Sequence, residues 1–276
     1  MPLAVLVLAP CVPAASQPLC QPLPGAQTLW SKPGVRFVLV GEMHGTAETP
    51  LLFRDLVCAA ESAQRPIVVG LERSVDEQPA IDAFLSTGNH ADAATALLAQ
   101  RGWHAFDGRS SRAMLALLED LRALQREGRT VEVVAFSDFR PGDSPAQGEK
   151  RMASALMAAA DRHPNGLVLT LTGNVHASKK ELSSDATMAM ELPSAETLSL
   201  LVIDRGGEAW NQSEEGCGPH KYRSIGGDSR GITLSEKAAP VAGFDGVAST
   251  GLAATASAPA VPGAPPPPAC SALTSR

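Results

Sequence analysis

The sequence predicts an α/β protein: a mostly parallel central sheet flanked by helices, with a helical insertion between the second and third strands over the sheet's C-terminal edge. Three observations carry this. Apolar runs of strand length alternate with segments of helical periodicity, the order of a parallel sheet with crossover helices. Two of the runs, Phe37-Val38-Leu39-Val40 and Leu167-Val168-Leu169-Thr170-Leu171, end in related polar sequences, Gly41-Glu42-Met43-His44 and Gly173-Asn174-Val175-His176. Between the second and third runs the chain reads as helix only, for longer than one crossover needs.

Residues 1–20 read as a leader and linker. Leu3-Ala4-Val5-Leu6-Val7-Leu8-Ala9, then Ala14-Ala15-Ser16, has the pattern of a signal-peptide core and cleavage site. The run is too short to span a bilayer. Leu8-Ala9-Pro10-Cys11 is close to a lipoprotein box, with Pro10 where Gly or Ala is expected. The expectation is export to the periplasm or medium, with a membrane as partner only if Cys11 is lipidated.

Residues 21–239 read as a single α/β domain. The first strand covers 36–41. A helix follows at 48–64, with Leu51, Leu52, Leu56 and Ala59 at helical spacing and Thr46 or Thr49 as cap. Pro66 ends it, and the second strand, 67–71, terminates in Glu72. Ile81, Phe84 and Leu85 mark the first inserted helix, and 93–98 the second. Met114, Leu117, Leu118, Leu121 and Leu124 mark a third, capped by Ser110 or Ser111. The third strand, 131–136, ends in Ser137-Asp138. A helix at 146–161 and the turn Asn165-Gly166 lead to the fourth strand, which runs toward His176. The fifth strand covers 198–203, and Gly206-Gly207 turns it into a hairpin with 208–210. Residues 240–276 are dominated by Ala, Pro, Gly, Ser and Thr and predict a disordered tail.

Composition sets bounds on function. The 276 residues are 44% hydrophobic but only 4% aromatic, so the core must be built from Ala, Val and Leu. The formal charge is −6, and no basic stripe stands out, which argues against a nucleic-acid partner. There is no Walker loop. Cys20, Cys58, Cys217 and Cys270 allow three disulfide pairings and match no zinc spacing.

The chemistry lies at the strand ends. Parallel strands present their C-terminal ends on one edge, where ligands bind in open α/β sheets. Glu42, His44, Glu72, Asp138, Asn174 and His176 would meet there. His44, Glu72 and His176 are candidate ligands of a divalent metal ion. Glu42 and His44, two apart on one side of an extended chain, are candidate catalytic groups. Asn174 and Asp138 are candidate substrate-binding groups. Arg109, near a helix N-terminus, is a third. The expected partner is a small-molecule or peptide substrate, with a second copy of the chain as a candidate homodimer partner.

Gly41-Glu42-Met43-His44-Gly45, Glu72 at the next strand end, and Gly173-Asn174-Val175-His176 resemble the superfamily that joins Tiki proteases, erythromycin esterases and ChaN-type haem-binding lipoproteins. The resemblance spans residues 36–205. Its Tiki branch implies metal-dependent peptide hydrolysis through His44, His176 and either Glu42 or Glu72. Its esterase branch implies ester hydrolysis with Glu42 and His44 in the active centre. Its ChaN branch, similar also near Lys150-Arg151-Met152-Ala153, implies haem or iron binding without turnover. Haem ligation there resembles use of tyrosine, and Tyr222, the one tyrosine here, lies outside the motifs. The joint expectation is an exported hydrolase, divalent-metal-dependent, cleaving a peptide or ester, with haem as the alternative cofactor.

Overall fold

The computed structural model describes residues 18–181, 185–235, 241–263 and Cys270. The expected leader and Cys11 lie almost wholly outside the described residues.

In chain order the elements are α1 (Gln27–Trp30), β1 (Phe37–Glu42), α2 (Glu48–Ala60), β2 (Ile67–Ser74), α3 (Gln78–Ser86), α4 (His90–Leu98), α5 (Arg112–Arg126), β3 (Val131–Ser137), α6 (Pro145–Arg162), β4 (Leu167–Gly173), α7 (Asn174–Ala177), α8 (Met188–Glu191), β5 (Thr197–Ile203), β6 (Gly207–Ser213), β7 (Gly216–Tyr222), β8 (Gly231–Leu234) and β9 (Gly246–Ser249). The central sheet runs β3-β2-β4-β1-β5-β9-β8. All its pairs are parallel except β8 with β9. The predicted class, an α/β fold with a mostly parallel sheet and flanking helices, is the observed one.

Strand side chains alternate between faces, and the two cores divide accordingly. Val38 and Val40 join Val69, Leu71, Leu169 and Leu200 against α2 and the inserted helices. Phe37 and Leu39 join Val68, Val168 and Leu201 against α6 and α8. The insertion, α3 to α5, buries Ile81, Phe84, Leu97, Trp103 and Leu117 in the first of these cores. Ser111 caps α5 by accepting from the Met114 amide at 3.2 Å. Neither Thr46 nor Thr49 caps α2; their hydroxyls bond each other at 2.9 Å.

Topology places the site. β4 is inserted between β1 and β2, so Glu42 stands beside Gly173 in register. The ends of β1, β4 and β2 are therefore consecutive along one edge. On β2 the pairing with β3 shifts between Leu71 and Ser74. A bulge of this kind re-aims side chains, and here the displaced residues are Glu72 and Arg73.

Two expectations need correcting. The hairpin after β5 pairs β6 with β7, turning at 214–215, and forms a separate two-stranded sheet. The tail is not disordered over 241–263. β9 lies between β5 and β8, and Phe244, Ala248 and Thr250 are buried. Composition counts apolar side chains, whereas a four-residue strand is held largely by main-chain bonds to neighbours on both sides. Residues 264–269 and 271–276 lie outside the described residues. The cysteines pair as Cys20–Cys58 and Cys217–Cys270.

Candidate functional site

Glu72 is the centre. It is 6% exposed. One carboxylate oxygen accepts from the Thr172 hydroxyl at 2.6 Å and the Gly173 amide at 2.7 Å. The other accepts from the Arg109 guanidinium at 2.9 Å. Burial pushes this carboxyl up, but His44, Arg109 and His176 outweigh it, and the pKa falls to about 2.

Two imidazoles face it, one at each oxygen. His44 Nε2 lies 3.6 Å from one Glu72 oxygen, and His176 Nε2 lies 3.6 Å from the other. Each imidazole is tied at Nδ1 to a carboxylate of its own. His44 pairs with Glu42 at 3.0 Å. His176 pairs with Glu149 at 2.6 Å. Each bond holds a ring orientation and places the Nδ1 proton on the carboxylate side, leaving Nε2 toward the cleft. The rings are 19% and 20% exposed, so a solute can reach both.

The electrostatics follow from this crowding. Burial lowers the His44 pKa, yet Glu72 and Glu42 together raise it above the usual value. Burial likewise opposes a charged His176, and Glu149 and Glu72 more than compensate, so it too is raised. Burial pushes Glu42 up despite His44 beside it. Asp107 receives the Arg109 guanidinium at 2.5 and 2.9 Å. Burial would raise its carboxyl, but the Arg109 contact holds it below the usual range.

Two glycines make room. Gly45 has φ +91°, and a Cβ there would lie 1.9 Å from the Trp210 carbonyl oxygen. Any other residue would be strained and displaced. A Cβ on Gly173 would lie 3.0 Å from His44 Nε2 and 3.6 Å from a His176 ring carbon. Gly173 therefore lets the two imidazoles stand over the end of β4.

Of the residues singled out in the sequence, the structure brings together Glu42, His44, Glu72, Arg109 and His176. Asn174 is exposed at the rim and lines two adjoining cavities. Asp138 is not part of the cluster: its carboxylate holds the exposed Arg140 at 2.9 and 3.0 Å. Glu149, Thr172 and Asp107 were not anticipated. Glu149 had a signal in the sequence. It precedes Met152 and Ala153 by three and four positions, so it shares their buried face of α6. A carboxylate on an apolar stripe calls for a partner.

The implied cofactors can be tested against these residues. Every Glu72 oxygen is already engaged, and Arg109 places positive charge against the one carboxylate both imidazoles share. Among the described residues no three His, Cys, Asp or Glu are arranged to hold an ion. The donor set His44, Glu72 and His176 does not fit a divalent metal as expected. The tyrosine ligation of haem that the resemblance implies is not available to Tyr222, whose hydroxyl donates to Asp204 at 2.5 Å, and burial with that bond raises its pKa.

No family model and no curated protein matches the chain. Solved structures do. An erythromycin esterase mutant in its open conformation superposes with a TM-score of 0.60 at 11% identity, covering 84% of this chain and 93% of that one. A Bacillus cereus protein gives a TM-score of 0.58 at 12% identity, with coverages of 83% and 91%. A succinoglycan biosynthesis protein gives 0.57 at 11% identity, covering 77% of each. The chain has the fold of these proteins, including that of erythromycin esterase.

Proposed function

We propose that the protein is a hydrolase of the esterase type, working through two carboxylate–imidazole pairs that share Glu72. The observation that carries this is the pairing itself: Glu42 on His44 at 3.0 Å, Glu149 on His176 at 2.6 Å, with both Nε2 atoms turned to one cleft. Such a group pair suits general acid–base work on a water and an ester.

His44 is the base. Glu42 orients its ring, and Nε2 takes a proton from the attacking water. His176, charged through Glu149 and Glu72, returns a proton to the leaving oxygen. Glu72 stays ionised and favours both imidazolium forms in turn. Arg109, held by Asp107 and Glu72, and Asn174 at the rim bind the carbonyl group of the substrate. The likeness in fold to erythromycin esterase supports an ester over a peptide.

The cavities beside the site favour an ester with an apolar substituent. One of about 340 Å³ and one of about 180 Å³ share Asn174 and Leu201. Met43, Val175 and Ile225 are exposed there, and an apolar substituent would cover them. Export is part of this reading: two disulfides fit an oxidising compartment.

The test is steady-state hydrolysis of p-nitrophenyl acetate, butyrate and octanoate by the wild type and by His44→Ala. Turnover that improves with chain length and is lost in the variant supports the reading. Equal rates in the two proteins would contradict it.

A further inference from the structure

Beyond Gly251 the chain leaves the sheet and crosses its C-terminal edge, bonding to three segments in turn. The Ala254 amide donates to Gly206 O at 2.8 Å, and Ala254 O accepts from the Glu208 amide at 3.0 Å. Thr255 O accepts from the Ala47 amide at 2.9 Å. The Ser257 amide donates to Gly45 O at 2.8 Å. Ala258 O accepts from the Arg112 amide, and the Ala260 amide donates to Ser110 O, both at 2.8 Å. Residues 254–260 thus lie between the loop that carries His44 and the loop that carries Arg109.

Ser257 hydrogen-bonds both to the His44 loop and to the start of α5. Its amide holds Gly45, next to His44. Its hydroxyl accepts from the Ala113 amide at 3.0 Å, in the first turn of α5 that the Arg109 loop enters. The residue is 7% exposed. Gly45 O also accepts from Trp210 on β6 at 2.9 Å, so the His44 loop is gripped from two sides. Farther on, Cys270 is bonded to Cys217 on β7 of the same hairpin.

Among the described residues, no hydrogen bond from 254–260 reaches the segment that carries His176. It sits on α7, directly after β4, and its orienting carboxylate comes from α6. The crossing segment therefore bears on one imidazole of the site and on Arg109.

We propose that residues 254–260 are a positioning strap, and that Ser257 sets the separation of the His44 and Arg109 loops. The inference rests on the function proposed above. Ser257 touches no reacting atom; it acts through Gly45 and Ala113. Its effect should fall on turnover, because the geometry of the reacting groups governs the chemical step and a small misplacement is costly.

The test uses full-length protein carrying Ser257→Ala, Ser257→Thr or Cys270→Ser, with Cys20→Ser as the remote control. Ser257→Ala should lower kcat by about 10-fold with KM nearly constant. It should also speed amide exchange at residues 44–47 as well as at Ala113. Ser257→Thr keeps a hydroxyl and should restore most of both. Cys270→Ser should speed exchange through 254–260 and both loops, whereas Cys20→Ser should lower Tm and leave kcat unchanged. The strap is overturned if Ser257→Ala quickens exchange at Ala113 alone, or if kcat falls no more than in Cys20→Ser. A wild type that hydrolyses no ester would sink the proposed function instead, and the exchange data would still decide whether the segment holds the two loops.

Discussion

The two imidazoles of the site are built in different ways. His44 and its carboxylate come from one strand and its extension: Glu42 ends β1 and the ring lies two residues on, so the pair is set by local backbone. His176 follows β4, but Glu149 arrives from α6, whose own position depends on packing of Met152, Ala153 and Leu156. Glu149 is in turn held by the Met188 amide at 2.7 Å. One pair is local and strapped by the C-terminal segment. The other is assembled from three elements. The local pair should be the stiffer, which suits a base that must be aligned for attack.

The sharpest way to break the comparison is to remove each ring. His44→Ala should lower kcat/KM for a p-nitrophenyl ester by about 10²–10⁴-fold, the usual weight of a positioned base. His176→Ala should cost less with this substrate, because nitrophenolate leaves without a proton. With an alkyl ester the two losses should converge. Melting temperature should also fall in both variants, since each ring is the partner of a buried carboxylate, so the losses in kcat/KM are read well below either Tm.

Gly173→Ala presses on both pairs at once. The new Cβ would stand 3.0 Å from His44 Nε2. Turnover should fall by about 10-fold as the ring is displaced, with circular dichroism unchanged. A fully active variant would show that the ring positions at the end of β4 are not critical.

Acid should weaken what joins the pairs. The folded pKa of Glu72 is about 2, below its ordinary 4.5. A depressed carboxylate contributes stability that is present above the unfolded value and lost as pH falls toward the folded one. Melting temperature should therefore drop as pH is lowered from 4.5 to about 2, and drop less in Glu72→Gln. For His44 and His176, whose pKa values are raised, the sign is opposite. Their contribution is full below the ordinary imidazole pKa and is lost as pH rises through the folded values.

Asp138→Asn should do least, changing kcat/KM by less than about twofold, the range of surface changes that touch no site. Its carboxylate serves Arg140. Loss of activity there would mean that the edge at β3 belongs to the site.

These residues also show what the sequence could reveal. The strand ends were legible because parallel strands align their termini, so Glu42, His44, Glu72 and His176 could be placed together from the chain alone. The same rule misplaced Asp138: a strand end fixes where a residue stands, not which cation its side chain meets, and Arg140 is two positions on. Glu149 was hidden by distance along the chain, though its place on an apolar helix face was a clue. Arg109 was legible as an anion partner, but its contact with Glu72 was not, and that contact is what turns the donor set away from a metal. The C-terminal segment was the largest miss. A strap of Ala, Thr and Ser bonded through its backbone carries almost no signature in side-chain composition.

The most direct test of the two-pair account is the pH dependence of kcat/KM for an alkyl ester in the wild type, Glu42→Gln and Glu149→Gln. A base that must be neutral and an acid that must be charged give a bell. Removing Glu42 should move its acid limb to lower pH, because the carboxylate that supports the His44 charge is gone. Removing Glu149 should move the basic limb to lower pH and narrow the bell. Both variants shifting the same limb, or neither shifting any, would contradict the assignment of His44 as base and His176 as acid.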